Sequence, residues 1–523
     1  MRTNIFIRAD SSTRMGTGHI MRCLTLAEEL RDAGAVVNFV TRAHPGNLNE
    51  LIRKKRFRCH ELPGVDALGA TIEKHHDSRS EYTSWLAVSQ QRDAEETIEA
   101  FSSIRPDWLI VDHYGLDEDW ENILRPYVSK IMVIDDLADR RHDSDLLLDQ
   151  NFFVDGERRY DKLIPPSCTK LLSPKYALLR REFRECRKHL RERSGEVKRI
   201  LVFLGGSDPE NFTGMAIEAL SEFELLHLQV DVVIGSQNPN REKIKRLVQT
   251  RPRTMLHIQA INMAELMCAA DLAIGAGGST TWERCCLGLP CIVIPIAKNQ
   301  IGSTTDLNYR GAIMSLGGDE RSLPNRIQSA VMRLIENPKD VVEIAKTGIE
   351  MVPCDGVNDV TALLIGQLSE IKLTHREATL ADSKLYWYWA NDPEVRRNAF
   401  NSKPISWEDH QIWFNSRIEN LKTKLLIFES KYGAVGQVRL EGIESQKTIS
   451  YSVARQFRGM GIGTKMIAQV VSVNPSYAGR FVAEVKKENR VSIGIFQKLG
   501  FNQWDIIGKN AFGFSFERLS TNI

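Results

Sequence analysis

No apolar run in this 523-residue sequence approaches the roughly 18 residues that cross a bilayer, and no cleavable apolar segment precedes the first strand-like stretch. A membrane span and a secretory leader are therefore not expected, and the cytoplasm is the expected compartment. Charge of one sign is also lacking. The 69 Lys and Arg stand against 67 Asp and Glu, a formal net charge of +2, which gives no general pull towards nucleic acid or a membrane surface. Metal-ligand spacings are missing too. The nine cysteines form no C-x-x-C pair and all lie at or before Cys354, and neither an H-E-x-x-H run nor a carboxylate cage occurs, so no metal is expected. Such cysteines read as reduced thiols, with the vicinal Cys285-Cys286 as one inward and one sideways position of a helix. Disorder-prone composition is absent, since hydrophobic residues make up an ordinary 42%. A chain of this length exceeds one compact core, which predicts about two to four domains.

What is present is organised around Arg8-Ala-Asp-Ser-Ser-Thr-Arg-Met-Gly-Thr-Gly-His19. Asn4 to Arg8 has the residue types of a buried strand, and Ile20 to Leu30 has apolar positions at helical spacing. Strand, polar glycine loop and helix in that order mark the first turn of a doubly wound unit. Gly16 and Gly18 permit a tight backbone and close ligand approach, while free N–H groups at the helix start favour an anion such as phosphate. The positive helix end disfavours an imidazolium at His19, which predicts an uncharged ring able to accept a proton. A merely structural histidine fits the same place.

Further strands are expected at Val36 to Val40, Cys59 to Leu62, and within Pro106 to Gly115, where Asp112, His113 and Tyr114 fall at the carboxyl end that binds ligands in open parallel sheets. Lys130 to Asp136 ends in Asp135 and Asp136, which suit a turn or a helix cap, and Leu146 to Asp149 follows. His75 and His76, in the polar segment Asp66 to Tyr82, read as solvent-facing. A charged helix is expected from Leu178 to Arg193. The second α/β pattern starts at Arg199 to Leu204, and Gly205-Gly-Ser-Asp-Pro209, containing Ser207, repeats the opening logic before a helix from Asn211 to Phe223. In Ala270 to Arg284 a strand meets a glycine loop with Gly277, Gly278 and Ser279, and a helix starting at Thr280 carries Glu283 on its first turn. Backbone N–H groups there suit a diphosphate, and the carboxylate suits paired sugar hydroxyls; glycines used only for close packing would leave the same pattern. Asn299 and Gln300 lie just past the strand Cys291 to Pro295.

After a helix at Val357 to Leu368, Ile371 opens another module without a Pro/Gly/Ser-rich linker, so docking of the modules is expected. Trp387, Trp389, Trp407 and Trp413 read as core. Leu425 to Phe428 and Ala434 to Leu440 look like a hairpin, and Thr448 to Val453 runs into Arg455-Gln-Phe-Arg-Gly-Met-Gly-Ile-Gly-Thr464 and an amphipathic helix, Lys465 to Val473. Gly459, Gly461 and Gly463 expose N–H groups to a pyrophosphate, and Arg455 and Arg458 add charge. Asn489, Ser492, Phe496 and Leu499-Gly-Phe501 follow at fixed spacing.

On the motifs at Arg8 to His19, Val111 to Tyr114, Gly205 to Asp208, Gly277 to Glu283 and Asn299-Gln300, residues 1–369 resemble the UDP-sugar hydrolases of pseudaminic acid biosynthesis, relatives of two-Rossmann glycosyltransferases. The resemblance implies inverting, metal-independent hydrolysis of UDP-2,4-diacetamido-2,4,6-trideoxy-altropyranose to UDP and free sugar, with Glu283 on the ribose. His19 is then the base for water, Tyr114 and Asn299 orient the sugar, and the Gly277–Ser279 loop carries the diphosphate. Asp10, Ser11, Gly16, Gly18, Asp112, Gly205, Ser207, Thr280 and Gln300 complete the implied substrate site. Residues 370–523 resemble the GCN5-related N-acetyltransferases, on the Arg455–Thr464 loop and the Asn489 to Phe501 pattern. That resemblance implies acetyl-CoA on the glycine loop between Val453 and Thr464, Asn489 near the pantetheine arm, and the 4-amino group of a UDP-4-amino-4,6-dideoxy sugar as acceptor. Many members carry tyrosine at the Phe496 position to protonate the leaving thiolate; here only water or a hydroxyl such as Ser492 is offered.

The combined expectation is α/β: two Rossmann-like domains facing a cleft (GT-B type), 1–175 and 176–369, followed by an α+β GCN5-related N-acetyltransferase domain, 370–523. Such a bifunctional UDP-sugar enzyme has no nucleic-acid or membrane partner and is compatible with a homo-oligomer. Two other readings stay open: a UDP-sugar glycosyltransferase, and a C-terminal domain that senses acetyl-CoA without catalysis.

Overall fold

The computed structural model describes residues 2–64, 82–318, 320–366, 371–443, 445–473, 479–506 and 510–518. His75 and His76 lie outside the described residues. Strands β1 (Asn4–Ala9), β2 (Val36–Arg42), β3 (Arg58–Leu62), β4 (Trp108–Asp112), β5 (Ile131–Ile134), β6 (Leu146–Asp149) and β7 (Thr169–Leu172) form one parallel sheet in the order β3-β2-β1-β4-β5-β6-β7. Strand order reverses between β1 and β4, which opens a crevice at their carboxyl ends. Both faces of the sheet are covered, and this is why β1, β4 and β5 are near-continuous apolar runs. A second parallel sheet contains β8 (Arg199–Phe203), β9 (Gln229–Ile234), β10 (Thr254–Ile258), β11 (Leu272–Ala276), β12 (Cys291–Ile294) and β13 (Met314–Ser315), ordered β10-β9-β8-β11-β12-β13.

The two sheets face each other through their carboxyl ends. Beyond β6, the Val154 N–H donates to Asp306 Oδ2 at 2.9 Å, on the helix Lys298–Arg310 that follows β12. A Cβ at Gly302 of that helix would stand 3.3 Å from the Phe153 ring. The helix Gly356–Ile365 returns to the first sheet, packing Val357, Val360, Leu363 and Leu364 into its core.

The third sheet holds β14 (Thr374–Glu377), β15 (Thr423–Ser430), β16 (Gly433–Ile443), β17 (Gln446–Val453), β18 (Gly479–Lys486), β19 (Asn502–Asp505) and β20 (Ala511–Arg518), ordered β14-β15-β16-β17-β18-β20-β19. Its pairs are antiparallel except β17 with β18, which run parallel and pair only from Gln446 to Thr448. Past Thr448 these two strands diverge and leave one edge of β17 open.

This domain is docked on the amino ends of β5, β6 and β7. Buried Gln456 donates through Nε2 to Ser167 O at 2.9 Å and Thr169 Oγ1 at 2.7 Å, and Lys130 Nζ donates to Gln456 O at 3.2 Å. The two domains share one apolar core. Trp389 belongs to that core, whereas Trp387 and Trp407 are half-buried against each other, ring centroids 5.6 Å apart.

Two expectations are corrected. The charged helix is Arg181–Arg187 rather than Leu178 to Arg193, because Arg191 and Arg193 turn to donate to carbonyls at Ala269 and Ala270 of the second domain. Cys286 and Cys354 are joined as a disulfide with Cα atoms 5.9 Å apart, not free thiols; 68 residues separate them in sequence, so no local pattern announces the pair. Cys285 and Cys286 are both buried.

Candidate active sites

The helix Gly18–Asp32 starts after Thr17 with no side-chain cap and no acidic residue in its first turn, so its leading N–H groups are bare. Gly16 has φ +77°, and a Cβ at Gly16 or Gly18 would meet nothing within 4 Å. Ser12 shapes the loop, its Oγ accepting from Met15 N at 2.9 Å and its carbonyl from Gly16 N at 2.8 Å. Open space thus lies directly in front of the helix start.

His19, 7% exposed, has Nδ1 2.6 Å from Asp112 Oδ1 at the end of β4. A carboxylate at that distance accepts the Nδ1–H hydrogen bond and leaves Nε2 as the acceptor. Arg22 grips both oxygens of Asp112, Nε to Oδ2 and a terminal nitrogen to Oδ1, each at 2.6 Å. Burial alone would raise the Asp112 pKa, but Arg22 and His19 outweigh it and hold the carboxylate well below its ordinary range. Arg22 also donates to Asp136 at 3.2 Å, and Asp136 accepts the Tyr114 hydroxyl at 2.6 Å. Burial, then Asp136, pushes the Tyr114 phenol well above its ordinary pKa. Its ring stands edge-on to His19 with centroids 4.6 Å apart. Sequence reasoning finds His19, Asp112 and Tyr114 but not the coupling through Arg22.

Asp10 and Ser11 are engaged inside the domain. Both are buried: Asp10 accepts from Arg8 at 2.6 Å and from Arg42 N at 2.7 Å, and Ser11 Oγ accepts from Leu48 N at 2.9 Å. The reason is that β1 carries Arg8 into the interior, where Asp10 and Asp93 neutralise it.

His113 faces the same buried network. Its Nδ1 accepts the Gly115 N–H at 3.0 Å, and burial pushes its pKa down to about 3. The unfolded chain takes up this proton near the ordinary 6.5, the folded chain only near 3. His113 therefore costs stability progressively as pH falls between those values. His113→Asn is expected to lessen the decline of the urea midpoint between pH 7 and pH 4.5 relative to wild type.

In the second domain, Gly277 N–H donates to Gln300 Oε1 at 3.2 Å, and the same oxygen accepts Ile296 N–H at 3.0 Å. Gln300 is therefore a latch on the glycine loop. A Cβ at Gly277 would stand 2.5 Å from Thr304, whereas one at Gly278 would meet only Gln300 Nε2 at 3.8 Å; close packing explains the first glycine and open space the second. Thr280 Oγ1 accepts from Arg284 at 3.2 Å, and Arg284, fully buried, also holds Ala276 O at 2.6 Å. Arg284 carries no sequence signal beyond its charge. Half-buried Asn299 starts the helix beside the loop. A cavity of about 420 Å³ opens between Thr304 and Asn308 of that helix and Ser315 to Gly318, within the usual size range of ligand sites.

Glu283 Oε1 accepts from Arg180 at 3.1 Å, while its Oε2 is buried without a partner among the described residues. Burial raises its pKa against the opposing pull of Arg180. One carboxylate oxygen is thus free for a hydroxylated ligand. The Gly205–Ser207 loop does not repeat the opening arrangement, because Asp208 accepts from Phe212 N at 2.9 Å and Thr213 N at 2.8 Å. The chain's own carboxylate occupies that helix end, with Ser207 left exposed.

A connected path joins the two halves. Arg159 donates to Asp136 O at 3.2 Å and stacks over Phe153 at 3.5 Å, and Phe153 meets the helix that carries Asn299 and Gln300.

In the third domain, Gly459 and Gly461 have φ +83° and +72°, and a Cβ at either would meet nothing within 4 Å, ahead of the helix Ile462–Val473. Gly463 is packed, a Cβ there standing 3.1 Å from Ile495, and Thr464 lies on the helix. Val453 ends β17 on its diverging stretch. Arg455 and Arg458 both pair with Asp392, at 3.0 and 2.9 Å, and Arg458 also with Glu394 at 3.0 Å. Asn489 Oδ1 caps the following helix, accepting from Ser492 N at 3.1 Å. Phe496 is buried against Phe501 and Phe514. Near it the hydroxyls of Tyr451 and Ser492 lie 2.9 Å apart; Tyr451 lies outside every motif in the sequence.

Among the described residues no group of three or more His, Cys, Asp or Glu could hold a metal ion, and no helix is long and apolar enough to cross a membrane.

Residues 200–350 match the glycosyltransferase family 28 C-terminal domain, and residues 372–502 the acetyltransferase (GNAT) domain. An uncharacterized protein of Methanocaldococcus jannaschii is 25% identical over 513 residues, 95% of this chain and 96% of its own length. The UDP-2,4-diacetamido-2,4,6-trideoxy-beta-L-altropyranose hydrolase of Campylobacter jejuni is 27% identical over 308 residues, 59% of this chain and 97% of that enzyme. The structure of Acinetobacter baumannii MurG aligns with 70% of this chain and all of its own, at 13% identity and TM-score 0.47. The chain thus joins a glycosyltransferase-like part, related in sequence to a nucleotide-sugar hydrolase, to a GNAT acetyltransferase domain.

Proposed function

We propose that the two parallel-sheet domains hydrolyse a UDP-linked 2,4-diacetamido-2,4,6-trideoxy sugar to UDP and free sugar with inversion, and that the third domain N-acetylates the 4-amino precursor with acetyl-CoA. The observation that carries the hydrolase reading is the His19–Asp112 pair at 2.6 Å, beneath an uncapped helix start in the crevice between the sheets. His19 Nε2 would take a proton from water as the water oxygen attacks the anomeric carbon opposite the departing UDP oxygen. Asp112 holds the Nδ1 proton and steadies the imidazolium that forms. Tyr114, fixed by Asp136, and Asn299 would orient the sugar, and backbone N–H groups at Gly278 and Ser279 would take the diphosphate charge.

Glu283, with one orphan oxygen, would accept the ribose hydroxyls. Glu283→Ala is expected to weaken UDP binding roughly 10- to 100-fold, as loss of charge-assisted hydrogen bonds does, measured by titration calorimetry. Hydrolysis at saturating substrate should change less.

The acetyl-CoA reading rests on open space at Gly459 and Gly461 and on the unpaired edge of β17. There the neutral sugar amine would attack the acetyl carbonyl and the C–S bond would break, the amine losing one proton to water and the departing thiolate taking one from water or from the Tyr451–Ser492 hydroxyl pair. Buried Phe496, which has no proton to give, favours a second reading of this domain as an acetyl-CoA sensor beside a glycosyltransferase. Mass spectrometry after incubation with acetyl-CoA and a UDP-4-amino-4,6-dideoxy sugar tests both. Acetylated nucleotide sugar followed by UDP and free sugar, with no sugar acceptor added, is the expected result; absence of thiol release or a need for an acceptor overturns the corresponding half.

A further inference from the structure

Beside His19 stands a feature that neither the motifs nor the hydrolytic chemistry requires. A single helical turn, Thr83–Trp85, is pinned by fully buried Leu86 and by the Trp85 N–H on Tyr82 O at 2.9 Å. It brings Trp85 to within 6.4 Å of the His19 ring and 5.7 Å of the Tyr114 ring, and Tyr82 to 5.1 Å from Tyr114 and 4.8 Å from Trp85. His19 therefore emerges through an aromatic rim, while the charged groups that order it, Asp112 and Arg22, lie behind it and are buried. Trp85 itself is half-buried, so one part of the indole packs and another part is left to a ligand.

We infer that Trp85, with Tyr82, is a specificity-determining wall that selects sugars presenting methyl and acetamido groups, rather than a hydroxymethyl group, to the side of His19. The inference rests on the hydrolase reading and names what that reading leaves open. Ring faces favour C–H groups and acetamido methyls, and a hydroxymethyl group pressed against the rim would lose its water without gaining a partner. An apolar wall rejects an added hydroxyl by at most about 100-fold, which sets the scale of the effect.

The test compares kcat/KM for a UDP-2,4-diacetamido-2,4,6-trideoxy sugar and for UDP-N-acetylglucosamine in wild type, Trp85→Phe and Trp85→Ala. Wild type is expected to favour the deoxy substrate by roughly 10- to 100-fold. Trp85→Ala should lose most of that preference, raising KM for the deoxy substrate and relieving the desolvation penalty on UDP-N-acetylglucosamine, and Trp85→Phe should restore it. Equal losses on both substrates, or an unchanged ratio in Trp85→Ala, would overturn the inference while leaving the hydrolase reading intact. Failure of wild type to release UDP from either substrate would instead remove the hydrolase reading itself. Unchanged thermal unfolding of both variants excludes misfolding as the cause.

Discussion

His19→Asn is expected to lower the rate of UDP release by about 10²- to 10⁴-fold, the usual worth of a positioned general base, while UDP affinity and acetyl-CoA-dependent thiol release stay at wild-type levels. Asparagine keeps a polar group at the helix start and can still meet Asp112, so the fold should tolerate it. Asp112→Asn is expected to act by two routes. The amide no longer fixes the Nδ1 proton, so the base is lost through its tautomer. Arg22, almost fully buried, also loses the carboxylate that it holds with two bonds of 2.6 Å and keeps only Asp136 at 3.2 Å; breaking a buried ion pair costs up to about 3–5 kcal/mol. The two variants are therefore separable: thermal unfolding should barely move in His19→Asn and should fall clearly in Asp112→Asn, although both lose hydrolysis. Unchanged UDP release by His19→Asn would refute the base assignment.

How much of this is legible in the sequence depends on where each signal lives. Central strands of the parallel sheets are readable because burial on both faces forces unbroken apolar runs, as in Trp108 to Asp112 and Leu272 to Ala276. The edge strands β13 and β14 are not. The first is two residues long and the second, Thr374–Glu377, is exposed at every position, so neither carries an apolar pattern. Glycine loops are legible as loops but not as sites. Gly205 to Ser207 and Gly277 to Ser279 look alike in sequence, yet Asp208 fills the helix end behind the first, while Gln300 and Arg284 brace the second and leave Gly278 open. Side chains outside the glycine pattern, Asp208 at the first loop and Gln300 with Arg284 at the second, decide which loop is left open. The same holds for Arg455 and Arg458, whose charge looks available in the sequence but is taken by Asp392 and Glu394, about sixty residues upstream.

Gly461→Val is expected to raise the acetyl-CoA KM roughly 10- to 150-fold, the loss of one charge-assisted hydrogen bond, without touching hydrolysis. A β-branched residue at φ +72° is a conformational outlier, so the loop must shift, and the isopropyl group also fills the space in front of its N–H groups. Hydrolysis should be spared for a topological reason. The Arg455–Phe457 turn that leads into this loop is seated on Lys130, Ser167 and Thr169, all at the amino ends of the first sheet, whereas His19, Asp112 and Tyr114 sit at its carboxyl ends. In a parallel sheet these are opposite edges, separated by the strands' own length and by a core with no exposure at Leu109, Ile110, Ile131 and Met132. A product of the acetyltransferase site cannot pass through that layer and has to travel around it through solvent. At acetyl-CoA concentrations well below the raised KM, mixing His19→Asn with Gly461→Val proteins should therefore restore conversion of the amino sugar nucleotide to UDP and free sugar, followed by mass spectrometry, because each variant supplies the step in which the other is deficient. If the mixture stays inactive while each single activity is present, transfer within one chain is required and the opposite-edge argument fails.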